Sequence, residues 1–223
     1  MQKRILIITD SLGCPRQQVP PSETWTEKFM SKYKEKVLVY TYCVYGLRST
    51  DIPFNWIYNL EPDIIVCQFG ICDACRRACP ETLLKVFERF RKIGKLYQHF
   101  ASKYHFYLTK IWNMHYTDIG TFEDLVKKLC LIHKTHIAFI PIAPPGDYLI
   151  RKTYGVVSDV KEYNHIFLKF SKRYNVSLLP VYDGVKADDI VISEDGHHLN
   201  EKGNESVYNA VSKYIDEQIC SMV

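Results

Sequence analysis

Nowhere does this sequence stay apolar long enough to span a bilayer, which predicts a soluble protein. Its first apolar run is also far too short for the core of an export signal, so a cytoplasmic location is expected. Charge of one sign never gathers into a block. The formal net charge is +4 and the basic residues are scattered through helices, so nothing singles out a nucleic-acid partner. Repeats, low-complexity tracts and interdomain linkers are missing too, and residues 1–223 are expected to form one domain. What is present, 47% hydrophobic residues against 24% charged, is enough to bury one sizeable core.

The eight cysteines, in a chain without an export signal, are expected to be reduced thiols and not a disulfide framework. Cys67, Cys72, Cys75 and Cys79 crowd together ahead of Pro80. Their spacing fits neither the bacterial iron–sulfur pattern, whose first gap is two residues, nor the plant pattern, whose fourth ligand lies far away. They are expected to bind no metal, with Cys67 ending a buried strand as a small apolar side chain.

Strand and helix signals alternate along the chain. Residues 4–9 form a continuous apolar run suited to a strand buried on both faces, and 36–42, 63–69, 136–142 and 176–181 supply four more. Helices are predicted over 22–33, 80–116 with a break at Gly94, 121–133 with a capping-box start at Thr121, 158–174, and 201–219 capped by Asn200. The pattern predicts an α/β fold: a three-layer α/β/α sandwich around a five-stranded parallel sheet. Around residues 95–120 the helical stretch is unusually aromatic and longer than a crossover requires, so it is read as an insertion that could form a lid or an interaction face, although an aromatic helix stripe is more often core packing. His99, His105 and His115 have no carboxylate at ligand spacing and are read as structural.

The chemistry concentrates at the two ends. In Asp195-Gly196-His197-His198 a carboxylate stands three residues before an imidazole, with glycine between them to tighten the turn. That spacing makes an oriented base, and such a base needs a hydroxyl to activate. Ser11, just past the carboxyl end of the first strand, is the best placed one, since ligand crevices of open α/β sheets lie at those strand ends.

At these residues the chain resembles the SGNH, or GDSL-type, hydrolases. Thr9-Asp10-Ser11-Leu12 is similar to their nucleophile block and Asp195-Gly196-His197-His198-Leu199-Asn200 to their last block. The resemblance implies a flavodoxin-like fold and a serine esterase with a Ser11, His198, Asp195 triad and no cofactor. It also implies an oxyanion hole from the Ser11 backbone, a second-block backbone N–H and a third-block asparagine. The second-block donor is Gly46, or Ser49 if the register is shifted by three. The third block reads Gly70-Ile71-Cys72-Asp73, with Cys72 where the family has asparagine, and a thiol is a weaker donor than an amide. Asp10 and Arg77 are expected to bind substrate, though Arg76 and Arg77 also fit a solvated helix start.

The run Gly70–Arg77 is similar to members associated with bacterial surface-polysaccharide biosynthesis, which implies removal of O-acetyl groups from sugars. The expected partner is therefore a small acylated substrate, an acetylated sugar, with no nucleic acid and no membrane span. A lipid esterase, a thioesterase, an acetyltransferase using the same acyl-enzyme, and a catalytically weak glycan- or partner-binding protein remain open beside it.

Overall fold

A computed structural model describes residues 2–221. Its strands are Arg4–Thr9 (β1), Leu38–Cys43 (β2), Ile64–Gln68 (β3), His136–Phe139 (β4) and Val176–Leu178 (β5). They form one parallel sheet in the order β2-β1-β3-β4-β5. Helices follow at Trp25–Tyr33 (α1), Phe54–Leu60 (α2), Ile71–Ala74 (α3), Glu81–Arg89 (α4), Arg91–Trp112 (α5) and Ile119–Cys130 (α6). The remainder are Asp147–Lys152 (α7), Val156–Arg173 (α8), Ala187–Ile190 (α9) and Glu201–Ser221 (α10). α1 packs with α10, and α6 with α8. Right-handed crossovers put these two pairs on opposite faces of the sheet.

That sandwiching explains the composition of β1, whose Ile5, Leu6, Ile7 and Ile8 are all fully buried. Register then positions the site. Thr9 lies beside Cys43 on one side and Gln68 on the other, so the segments that leave β1, β2 and β3 emerge together at one sheet edge. The strand order reverses there, between β1 and β3, where open α/β sheets form their ligand crevice.

Several boundaries differ from the sequence expectation. The long helical stretch breaks at Phe90 (φ −107°, ψ 81°), and Gly94 sits inside α5. α6 begins earlier than Thr121, because the Asp118 side chain accepts the Thr121 N–H and is the cap. Two short helices, α7 and α9, lie in stretches expected to be loops. Asn200 caps α10 as expected, its Oδ1 accepting the Gly203 N–H.

Candidate active site

Ser11 opens a single helical turn, Ser11–Gly13, directly after β1. The turn is held by Asp10, whose Oδ1 accepts the Leu12 N–H at 2.9 Å. Asp10, expected to contact substrate, has a fully buried side chain whose Oδ2 has no hydrogen-bond partner among the described residues. Burial pushes its carboxyl well above the usual range, against the Leu12 hydrogen bond. Asp10 therefore serves to aim Ser11.

The other half arrives from the far end of the chain. Gly196 takes φ +70° between Asp195 and His198, and a Cβ there would meet the Leu149 backbone nitrogen at 2.6 Å. The turn is braced by the loop ahead of α7, Gly146 N–H donating to Gly196 O at 2.8 Å. Asp195 Oδ1 accepts the backbone N–H groups of His197 and His198, both at 3.0 Å. Its Oδ2 lies 2.9 Å from His198 Nδ1. His198 Nε2 in turn lies 2.9 Å from Ser11 Oγ.

Burial works to raise the Asp195 carboxyl, but the hydrogen bonds from His198 and from the two backbone N–H groups outweigh it and hold the group well below the usual carboxylate range. An ionised Asp195 only accepts, which puts the ring proton on Nδ1 and leaves Nε2 free to take a proton from Ser11. The fold thus joins Ser11, His198 and Asp195 into one relay across a sequence separation of 187 residues.

His197 packs its ring on His198, the centroids 3.8 Å apart. Burial, and next the charge on His198, push it down to about 4. A histidine whose native pKa is depressed takes its proton first in the unfolded chain, so stability falls as pH drops from about 6.5 towards 4. Asp195 acts below that window: its contribution is complete above its unfolded value, about 3.9, and is lost as pH falls further. Urea midpoints followed from pH 7 to pH 4 should decline for the wild type and decline less for His197→Gln; parallel curves would show that His197 does not carry the upper part of the window.

Gly46, on the loop after β2, has φ +74°, with open space where a Cβ would stand. Ser49 is not free for the same task. Its backbone N–H and hydroxyl are both given to the buried Asp73 carboxylate, at 3.0 Å to Oδ2 and Oδ1 respectively. Of the two candidates, Ser49 is thus already bonded to Asp73. Cys72 lies in α3, its thiol pushed up to about 12 by burial and then by the charge of Asp10, so it is a neutral S–H.

Arg77 donates to the Cys72 carbonyl and lies over the Tyr116 ring, 5.0 Å from its centroid, bracing the short helix α3 that carries Cys72. Arg76 is taken up by Asp159, at 2.7 Å from Nε, an ion pair that also includes His115. Cys67 is buried in β3. Among the described residues, Asp195, His197 and His198 are the group whose metal-ligating atoms come within 4.8 Å of one another, and the relay already uses two of them.

Arg16 was not singled out by sequence. Its guanidinium donates to the Ser11 carbonyl at 3.1 Å and lies 3.9 Å from Asp195 Oδ2, tying the two halves of the relay together. An arginine five residues past the serine, in a proline-containing loop, was the only signal available.

No protein-family model matches the chain, and no curated protein matches it in sequence. Solved structures do. A lipase/acylhydrolase from Enterococcus faecalis superposes with a TM-score of 0.68 at 13% identity, over 97% of each chain. The acetyl xylan esterase AlAXEase gives 0.62 at 15% identity, over 95% of this chain and 99% of its own. A variant of an acetyl xylan esterase from Geobacillus stearothermophilus gives 0.61 at 12% identity, over 95% and 93%. The chain has the fold of these acylhydrolases and esterases.

Proposed function

We propose that this protein is a serine esterase that removes a small acyl group, an O-acetyl, from a carbohydrate. The observation that carries the reading is the unbroken relay from Ser11 Oγ through the His198 ring to Asp195, each link 2.9 Å, at the carboxyl edge of a parallel sheet. Ser11 attacks the ester carbonyl while Nε2 of His198 takes its proton; Asp195 balances the imidazolium. The backbone N–H groups of Ser11 and Gly46 bind the oxyanion. His198 returns the proton to the leaving alkoxide, and a water activated by the same ring releases the acyl group from Ser11. No metal or organic cofactor has a part in these steps.

An acetyl group on a sugar is favoured because the structural neighbours include acetyl xylan esterases, and because the Gly70–Arg77 run resembles polysaccharide-associated hydrolases. Purified protein offered p-nitrophenyl esters from acetyl to octanoyl, and acetylated xylooligosaccharides, should prefer acetyl and release acetate from the sugars. Preference for long chains would replace the carbohydrate reading with a lipid one. Transfer of acetyl to an added sugar acceptor faster than to water would make the protein a transferase.

Cys72 limits the rate in this scheme. Losing one oxyanion donor typically costs about 10²–10³ in turnover, and an S–H replaces an amide N–H here. Cys72→Asn is expected to raise the acylation rate on p-nitrophenyl acetate by a factor of roughly 10 to 100. A folded Cys72→Asn protein with unchanged or slower acylation would show that another group already supplies the third donor.

A further inference from the structure

Nearly half of the exposed large apolar side chains among the described residues fall on α4 and α5. Along α5, Ile93, Leu96, Phe100, Tyr104, Tyr107 and Ile111 follow one another at spacings of three or four, which is one helix face, and are between 40% and 75% exposed. The helix bends at Tyr104 (φ −110°, ψ 21°), and the stripe continues across the bend, the Phe100 and Tyr104 rings 4.8 Å apart. α4 does not cover it; Phe87 stacks instead on Tyr97, at 4.3 Å. The arm is anchored where it meets the body: the Tyr97 hydroxyl donates to Ala78 O, and the Arg77 N–H to Met114 O.

The same helix carries Arg91, Lys92, Lys95, Lys103 and Lys110 and no acidic residue, more positive charge than the whole chain's net +4. Among the described residues no carboxylate pairs with Lys92, Lys95, Lys103 or Lys110; Lys103 lies over the Tyr104 ring of the stripe and Lys110 over Tyr154, 5.5 and 5.6 Å from the centroids. Charge on that scale rules out a transmembrane course, and no helix is long and apolar enough to cross a membrane. It also opposes pairing of two copies through this face, which would set like charges together. An apolar stripe beside lysines that no described carboxylate neutralises matches a bilayer whose headgroups are anionic: the acyl boundary receives the stripe and the headgroups receive the ammonium groups.

We propose that α5 is a membrane-docking arm that lies in the headgroup plane of an anionic bilayer and holds the protein at that surface without crossing it. The proposal stands independently of the esterase reading. Ser11→Ala should dock like the wild type, so a failure of docking and a failure of catalysis are read separately.

The test is co-sedimentation of the purified protein with vesicles of phosphatidylcholine alone and of phosphatidylcholine with about a third phosphatidylglycerol. Binding is expected to the second and to be released by salt. Lys92→Gln with Lys103→Gln and Lys110→Gln should weaken it roughly 100-fold, about fivefold for each lysine. Leu96→Ser with Ile111→Ser should weaken it roughly tenfold or more. Both variants change exposed residues, and the Tm and esterase turnover in solution should be unaltered. Absence of binding to either vesicle, or equal binding to both, would overturn the proposal. A concentration-dependent dimer abolished by Leu96→Ser with Ile111→Ser would overturn it in favour of contact between copies. Binding of single-stranded oligonucleotide in place of vesicles would overturn it in favour of nucleic acid.

Discussion

Replacing Ser11 by alanine is expected to lower turnover of p-nitrophenyl acetate by roughly 10⁴–10⁶ and to abolish labelling by a fluorophosphonate. The size follows from the geometry. Ser11 Oγ is the atom that His198 Nε2 faces at 2.9 Å, and the described structure offers no second hydroxyl on that nitrogen. Members of such a relay act as a unit, so His198→Ala should cost a similar amount. Ser11→Ala combined with His198→Ala should be little worse than either alone. Additive losses would mean that the two residues act in separate steps, and equal labelling of wild type and Ser11→Ala would remove Ser11 as the nucleophile. His197→Ala is the internal control: its ring packs on His198 without facing Ser11, and most of the turnover should remain.

Asp195→Asn is expected to lower turnover by about 10⁴ while leaving ester binding, read as KM, nearly unchanged. The amide presents an N–H where the carboxylate accepted one, which turns His198 to the tautomer with its proton on Nε2 and leaves no base facing Ser11. Asp195 also accepts the His197 and His198 backbone N–H groups, so part of the loss should appear as a lower Tm. A variant that loses stability and keeps its turnover would reduce Asp195 to a turn-forming residue.

The parts of this site legible in the sequence are those whose chemistry is local. The apolar run of β1 ending at Ser11, the three-residue offset from Asp195 to His198, and the Asn200 cap each depend on neighbours within a few positions. The parts that were missed depend on partners far along the chain. Ser49 is committed to Asp73, 24 residues away, which no local pattern reveals. Arg16 gains its importance from Asp195 at the other end of the molecule. Asp10 was expected to bind substrate; only packing shows that it is buried, with Oδ1 holding the Leu12 N–H. Gly94 was given a helix break because glycine often marks one, but it lies within α5, and the chain turned at Phe90 instead.

The distance in sequence between Ser11 and His198 sets a clock on biosynthesis. At ribosomal rates of about 5–20 residues per second, roughly 10–40 s separate synthesis of the nucleophile from synthesis of its base. During that interval β1 to β4 can form around Ser11, yet the hydroxyl has no imidazole beside it and the growing chain cannot acylate itself. If the protein is the esterase proposed, hydrolytic competence requires the Asp195–His198 turn, which comes late in the chain beside α10, itself packed on α1. Ester turnover would then be a readout of completed folding, and a nascent chain still without that turn would be chemically silent.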